Sequence, residues 1–115
     1  IQVETELAIP DNLPVPAAEL STVFANALEN MIHAVQSLPA EKRKIVCKCI
    51  NSPRLMIEFS NPCAEEVQID TDGLPIANDM GHGIGTRSIA AFAEKNRAVY
   101  SFRMEDGWFK LQLAL

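Results

Sequence analysis

Three glycines at alternate positions, Gly81, Gly83 and Gly85, run directly into a segment with helical patterning. Glycine lets backbone pass close to a ligand, and a helix start offers unpaired N–H groups and the positive end of a dipole. The stretch Gly81-His82-Gly83-Ile84-Gly85-Thr86-Arg87-Ser88-Ile89 therefore reads as a phosphate site. Its place in the chain restricts the folds that can carry it. A dinucleotide fingerprint follows the first strand of a βαβ unit, with an acidic ribose ligand about twenty residues on. Here the glycines come late, behind a ragged loop and ahead of hairpin strands. A P-loop would continue as Gly-Lys-Ser/Thr, which this chain does not.

Periodicity supplies the surrounding elements. Residues 1–9 alternate Val3, Thr5, Leu7 and Ile9 against Gln2, Glu4, Glu6 and Ala8, which predicts a half-buried strand. Pro10, Pro14 and Pro16 make a connector. From Ala17 the period becomes helical, with Leu20, Phe24, Ala27, Leu28, Met31, Ile32 and Val35 on one side and an end before Pro39. Residues 42–50 and 54–60 read as a hairpin turning at Asn51-Ser52-Pro53, and Asn61-Pro62 stops its second strand. Residues 62–80 are irregular apart from a short apolar piece at Val67 to Ile69, and a segment of that length suggests a functional lid. A second helix is predicted over residues 86–96. Strands at 98–104 and 108–113 then close through Glu105-Asp106-Gly107. Hairpins in place of repeated crossovers point to an α+β two-layer sandwich.

A chain of 115 residues allows one compact domain. Net charge is −5 with a pI near 4.9 and no Lys/Arg-rich block, which argues against nucleic acid as a main partner. A nucleotide remains possible, because backbone amides and a metal ion can hold its charge. No apolar run approaches the ~18 residues of a membrane span, and no signal peptide is visible. The chain opens at Ile1 in mid-strand, as expected of a fragment of a longer protein. Three cysteines are an odd count and suggest a reducing compartment. Alternation places Cys47 and Cys49 on one strand face as small buried hydrophobes, and Cys63 is a lone thiol without partners for a zinc site.

A second pattern lies about fifty residues upstream of the glycines, by the chain's own numbering. Asn26 and Asn30 fall four apart on one helix face. A carboxamide oxygen is a hard neutral ligand suited to Mg²⁺, which keeps several waters and bridges phosphate oxygens. Taken alone, the pair also fits two ordinary helix-surface residues.

The Asn-x-x-x-Asn helix, the hairpin, the variable lid and Gly-x-Gly-x-Gly together resemble the Bergerat ATP-binding fold over nearly the whole chain. This is the GHKL superfamily of gyrase, histidine kinases and MutL-type ATPases. The spelling Gly-His-Gly-Ile-Gly-Thr-Arg-Ser-Ile is most similar to the catalytic domains of quorum-sensing-type bacterial sensor histidine kinases. The resemblance implies a single ATP-binding catalytic domain over residues 1–115, with a mixed, mostly antiparallel sheet of about five strands and helices on one face. It implies Asn30 as the Mg²⁺ ligand, with Asn26 assisting at the metal or phosphates. His33 takes a position near the phosphates where these kinases often carry Lys; it also fits a surface helix histidine. Gly81, Gly83 and Gly85 would line the triphosphate with their amides, with His82 and Ile84 between them. Thr86 and Arg87 open the helix, within reach of phosphate oxygens.

The usual Asp-x-Gly-x-Gly box is absent, and Asn61 stands where its Asp would accept from the adenine amino group. An Asn oxygen can accept the same hydrogen bond without the assistance of a charge. Ile57, Ile69, Ile84 and Leu111 are candidates for the apolar walls around the purine, or simple core.

Members of the superfamily that hydrolyse ATP place a Glu one helical turn before the Mg²⁺-binding Asn. That position is Asn26, which cannot act as a general base, and Glu29 points about 100° around the helix from Asn30. Phosphoryl transfer to a supplied acceptor fits better. In sensor kinases the acceptor is a histidine on a separate helical dimerisation domain; His33 and His82 both sit inside nucleotide-site motifs. The resemblance thus implies a protein-histidine kinase catalytic domain, with no catalytic residue of its own beyond the nucleotide site. Its cofactors would be ATP and Mg²⁺. Its partners would be ATP/ADP, the dimerisation and phosphoacceptor domain of the same protein, and indirectly a response regulator. It would be the cytoplasmic, non-inserted part of a membrane-bound sensor. Two other readings stay open: a protein-serine kinase of the anti-sigma-factor type, and a non-enzymatic nucleotide or interaction module.

Overall fold

The computed structural model describes residues 1–51, 53–76 and 82–115, and of 82–85 the backbone alone. The patterned segments become β1 (Gln2–Leu7), α1 (Ala17–Val35), β2 (Lys44–Asn51), β3 (Leu55–Pro62), α2 (His82–Lys95), β4 (Val99–Glu105) and β5 (Trp108–Ala114). A 3-10 turn at Ala40–Lys42 precedes β2, so the strand begins at Lys44 and not at the expected residue 42. The strand order is β1-β2-β3-β5-β4. β1 and β2 are parallel across the α1 crossover, and the other neighbours are antiparallel. This is the expected α+β sandwich, a mixed sheet covered by α1 and α2.

The core forms where alternation and helical spacing meet. Ile45, Cys47 and Cys49 of β2, Ile57 and Phe59 of β3, Phe102 of β4, and Leu111 and Leu113 of β5 are buried beneath the helices. From above come Leu20, Val23, Ala27, Met31 and Val35 of α1, with Ile89 and Phe92 of α2. The α1 stripe is rotated slightly from the predicted one. Val23 replaces Phe24 at its centre, Phe24 and Leu28 sit at its flank, and Ile32 is exposed. A ring contact keeps Phe24 anchored, edge-on to Phe59 at 5.0 Å.

Three sequence expectations are corrected. The alternation of residues 1–9 predicts a half-buried strand, yet every residue of β1 is exposed. Val3, Thr5 and Leu7 share register, and hence a face, with Ile45, Cys47 and Cys49. However, α1 packs over β3 and β2 and stops short of the sheet edge. The second helix starts at His82 instead of Thr86, taking Gly83 and Gly85 into its first turn. Amides there have no intrahelical partner in any case, so glycine costs less than in a helix interior. Residues 68–76, read as part of an irregular lid, form a tight turn organised by Asp70. Asp70 Oδ1 accepts from the amides of Asp72 and Leu74, both at 2.9 Å. Gly73 supplies the positive φ of 81°, and Ile69 bridges to Pro75. Ile69 and Leu74 rest on the core, which holds this turn against the body of the domain.

The remaining chain reversals follow turn chemistry. Asp106 and Gly107 have φ of 51° and 81°, the paired positive values of a two-residue hairpin turn whose twist suits the flanking strands. The C-terminus of α2 is closed by Arg97 at φ 54°, with the Ala98 amide donating back to Ala93 O at 2.8 Å. At the end of α1, Arg43 donates from Nε to Leu38 O at 2.8 Å and from Nη2 to Gln36 O at 3.1 Å. The guanidinium thus caps the Gln36 carbonyl at the helix end, ties it to the Leu38 carbonyl of the following turn, and sits at the negative end of the helix dipole.

Candidate nucleotide site

Two carboxamides from distant parts of the chain meet over the inner sheet face. Asn30 of α1 and Asn61 of β3 line one small cavity, of about 20 Å³, with Ala27, Met31, Phe59, Ile89, Phe102, Phe109 and Leu111. The helix brings Asn30 there because it lies beside Ala27 and Met31 on the packed side of α1. The strand brings Asn61 because it continues the inward set Ile57, Phe59, Asn61 along β3. No charged side chain lines this cavity among the described residues. The space is apolar with two neutral polar handles, the chemistry of a base pocket more than of a phosphate cradle.

Asn61 is 1% exposed, which for a polar side chain demands partners. Its Nδ2 donates to Pro62 O at 3.0 Å and contacts Cys63 Sγ at 3.6 Å. With the NH₂ group committed, Oδ1 is the remaining acceptor of the amide, and none of the hydrogen bonds among the described residues uses it. Burial pushes the Cys63 thiol up, against lowering contributions from the Phe109 backbone and the Asn61 amide, so it stands as a thiol beside the site. Cys47 and Cys49 are raised by burial too and sit in the core, as the alternation of β2 predicts.

The other predicted residues distribute as follows. Asn26 is half-buried one turn before Asn30 and is not among the cavity's lining residues. His33 is exposed and borders a shallow groove with Leu28, Glu29 and Ile32. Glu29 faces that same groove and not the Asn30 cavity, as the helical offset requires. Thr86 is 6% exposed on α2, while Arg87 is exposed. His82, Gly83, Ile84 and Gly85 belong to the first turn of α2, their side chains outside the described set, and Gly81 lies outside the described residues altogether. Of the suggested purine walls, Leu111 lines the cavity; Ile57 is core and Ile69 packs in the Asp70 turn.

Sequence reasoning missed the aromatic part of the lining. Phe102 and Phe109 stack at 5.9 Å with planes 13° apart, and Phe109 is the register partner of Asn61. The signal was available in the Asp106-Gly107 turn, which fixes the β4–β5 register as Met104↔Phe109 and Phe102↔Leu111. What the sequence did not offer was the pairing of β5 with β3.

The family model for the GHKL domain matches residues 15–115. Comparison with curated proteins by sequence finds no match. Among solved structures, the histidine kinase AdeS of Acinetobacter baumannii superposes with a TM-score of 0.70 at 13% identity, over 99% of this chain and 53% of that one. The histidine kinase domain of the blue-light-activated histidine kinase of Erythrobacter litoralis gives 0.69 at 12% identity, again over 99% of this chain and 53% of that one. This chain therefore spans about half the length of the structures it matches, and at such identities the likeness is one of fold.

Proposed function

The chain belongs to the GHKL domain family, and from that premise we propose that it binds Mg·ATP and presents the γ-phosphate to a histidine on a separate dimerisation domain. The observation that carries this reading is the shared cavity of Asn30 and Asn61. Asn61 Oδ1, its amide nitrogen already donating to Pro62 O, accepts from the 6-amino group of adenine. Phe102, Phe109 and Leu111 supply apolar contact for the ring. Asn30, half-buried at the edge of this cavity, would hold Mg²⁺ through its carboxamide oxygen, and Asn26 stands one helical turn before it. The start of α2 provides amides and a dipole for the polyphosphate, whose charge the neutral cavity itself does not balance.

Magnesium, when bound, neutralises charge between phosphate oxygens and orients the terminal phosphoryl group. Asn26 in place of a carboxylate leaves no base one helical turn before Asn30 to activate water, and Glu29 faces the groove beside His33. This favours transfer to an acceptor over hydrolysis. The acceptor domain, the response regulator beyond it, and a membrane-bound cytoplasmic sensor as context all belong to this proposal. No described helix is long and apolar enough to cross a membrane.

The direct test is thermal melting with and without Mg·ADP. At a hundredfold excess over Kd, binding to the folded state adds about 2.7 kcal/mol, a shift of roughly 10 °C for a domain of this size. No shift at millimolar nucleotide removes the nucleotide reading and leaves the non-enzymatic interaction module.

A further inference from the structure

β1 has one side of its backbone unpaired. In the parallel ladder with β2, the Gln2 amide donates to Arg43 O at 2.8 Å and the Ala8 amide to Cys49 O at 3.0 Å. The even-numbered residues of the strand thus turn their backbone groups inward. Val3, Thr5 and Leu7 turn theirs out of the sheet, and β1 is the last strand in the order. Natural edges are commonly guarded by lysine, proline, a bulge or a covering element. β1 carries neither Lys nor Pro, and its register runs unbroken from Gln2↔Lys44 to Leu7↔Cys49. No described element covers it, and all six residues are exposed.

The side chains say what kind of strand fits. On the helix side Val3 and Leu7 are 57% and 49% exposed. On the other side stand Glu4 and Glu6; Glu4 reaches Lys44 at 3.6 Å yet keeps 56% of its side chain exposed. This carboxylate row disfavours a second copy of the same strand. Antiparallel pairing through the open groups sets odd residues against odd and even against even. Centred on Thr5, each Glu4 faces Glu6 of the second copy; moved one residue either way, Glu4 or Glu6 faces itself. The other sheet edge is no better match, since the outer row of β4 offers Arg103 already bonded to Glu105 at 3.5 Å.

We propose that β1 takes up an extended segment of a partner protein as an added strand, one alternating apolar residues with Lys or Arg. The outward amides and carbonyls of Val3, Thr5 and Leu7 bond its backbone. Val3 and Leu7 meet its apolar side chains, and Glu4 and Glu6 meet its cations.

The test uses two capped seven-residue peptides, one alternating lysine with valine and one alternating glutamate with valine, followed by NMR amide exchange. At ten times its Kd the basic peptide slows exchange of Val3, Thr5 and Leu7 about elevenfold, with Glu4 and Glu6, already bonded to β2, unchanged. The acidic peptide gives no such protection. The exposed double substitution Glu4→Gln with Glu6→Gln keeps the fold and weakens the basic peptide about fivefold. Equal protection by both peptides, protection at none of the three amides, or β1-mediated dimers without peptide overturn the proposal. Because β1 contributes nothing to the Asn30 cavity, these outcomes are independent of nucleotide binding.

Discussion

Replacing Asn61 with Asp tests whether the base end of the cavity is as dry as its geometry requires. The substitution is nearly isosteric but exchanges the NH₂ donor for an acceptor. The hydrogen bond to Pro62 O at 3.0 Å is lost, worth about 1 kcal/mol, and two oxygens now face each other. In a position 1% exposed, the ionised carboxylate adds a desolvation penalty of about 1–3 kcal/mol after relaxation. We expect roughly 3 kcal/mol of destabilisation at pH 7, a large part of the ~5–15 kcal/mol of a typical domain. The sign with pH follows from burial. The folded-state pKa of such an Asp lies above its unfolded value near 3.9, so the unfolded state loses its proton first as pH rises. Stability relative to the parent is therefore best below about pH 4 and falls as pH climbs through the interval between the two pKa values. Urea melts of both proteins from pH 4 to 8 measure the difference. A deficit that stays flat across that range would refute the reasoning, because it would mean the carboxylate finds solvent.

Asn30→Ala is expected to abolish most of the Mg·ADP thermal shift while changing the ligand-free midpoint little, since Asn30 is only half-buried; an unchanged calorimetric titration removes the metal assignment. Cys47 and Cys49 should resist aromatic disulfide reagents in the native state. Because burial raises their folded pKa values, stability should fall as pH rises above about 8.5, where unfolded thiols ionise first; a flat alkaline profile contradicts their burial. Arg97→Gly should raise stability by about 0.5–1 kcal/mol by relieving the left-handed residue that closes α2, and a lower midpoint would show the Arg97 side chain to be worth more than the strain. Asp70→Ala, which removes two 2.9 Å bonds, should speed amide exchange at Asp72 and Leu74 without altering the sheet.

The sequence was most readable where a local rule determined structure. Asp106-Gly107 announced its hairpin, because few other pairs tolerate positive φ at both turn positions. The shift from a period of two to 3.6 at Ala17 located the start of α1, while Pro39 only bounded an end that falls at Val35. Reading failed where distant partners decide the outcome. The alternation in β1 is real, but burial depends on whether a helix extends over that strand, and α1 does not. Gly83 and Gly85 look like helix breakers by propensity, and the first turn of α2 accommodates them. At the site, Asn30 and Asn61 were both legible as single motif positions. Their meeting depends on α1 crossing β3, a tertiary fact, and Phe109 came to their side only through the β3–β5 pairing.

The size of the shared cavity adds a constraint on how the domain would take a nucleotide. About 20 Å³ is room for roughly one water molecule, far less than a purine occupies. Its walls come from both layers of the sandwich: Ala27 and Met31 on α1 and Ile89 on α2 above, the strands beneath. Of these, β3, β4 and β5 are locked by continuous ladders, while α1 and α2 are joined to the sheet by side-chain packing. The surface ion pair of Lys95 with Glu19 at 2.9 Å adds little to hold the helices together. Opening the pocket is therefore cheapest at α2, whose first turn carries the glycines and whose next turns carry Thr86 and Ile89. A purine that parts Ile89 from Phe102 and Phe109 displaces the helix whose N-terminal amides would face the phosphates. Base and phosphate recognition would then be coupled through one rigid element, and Asn61 would choose the base while α2 reports its arrival.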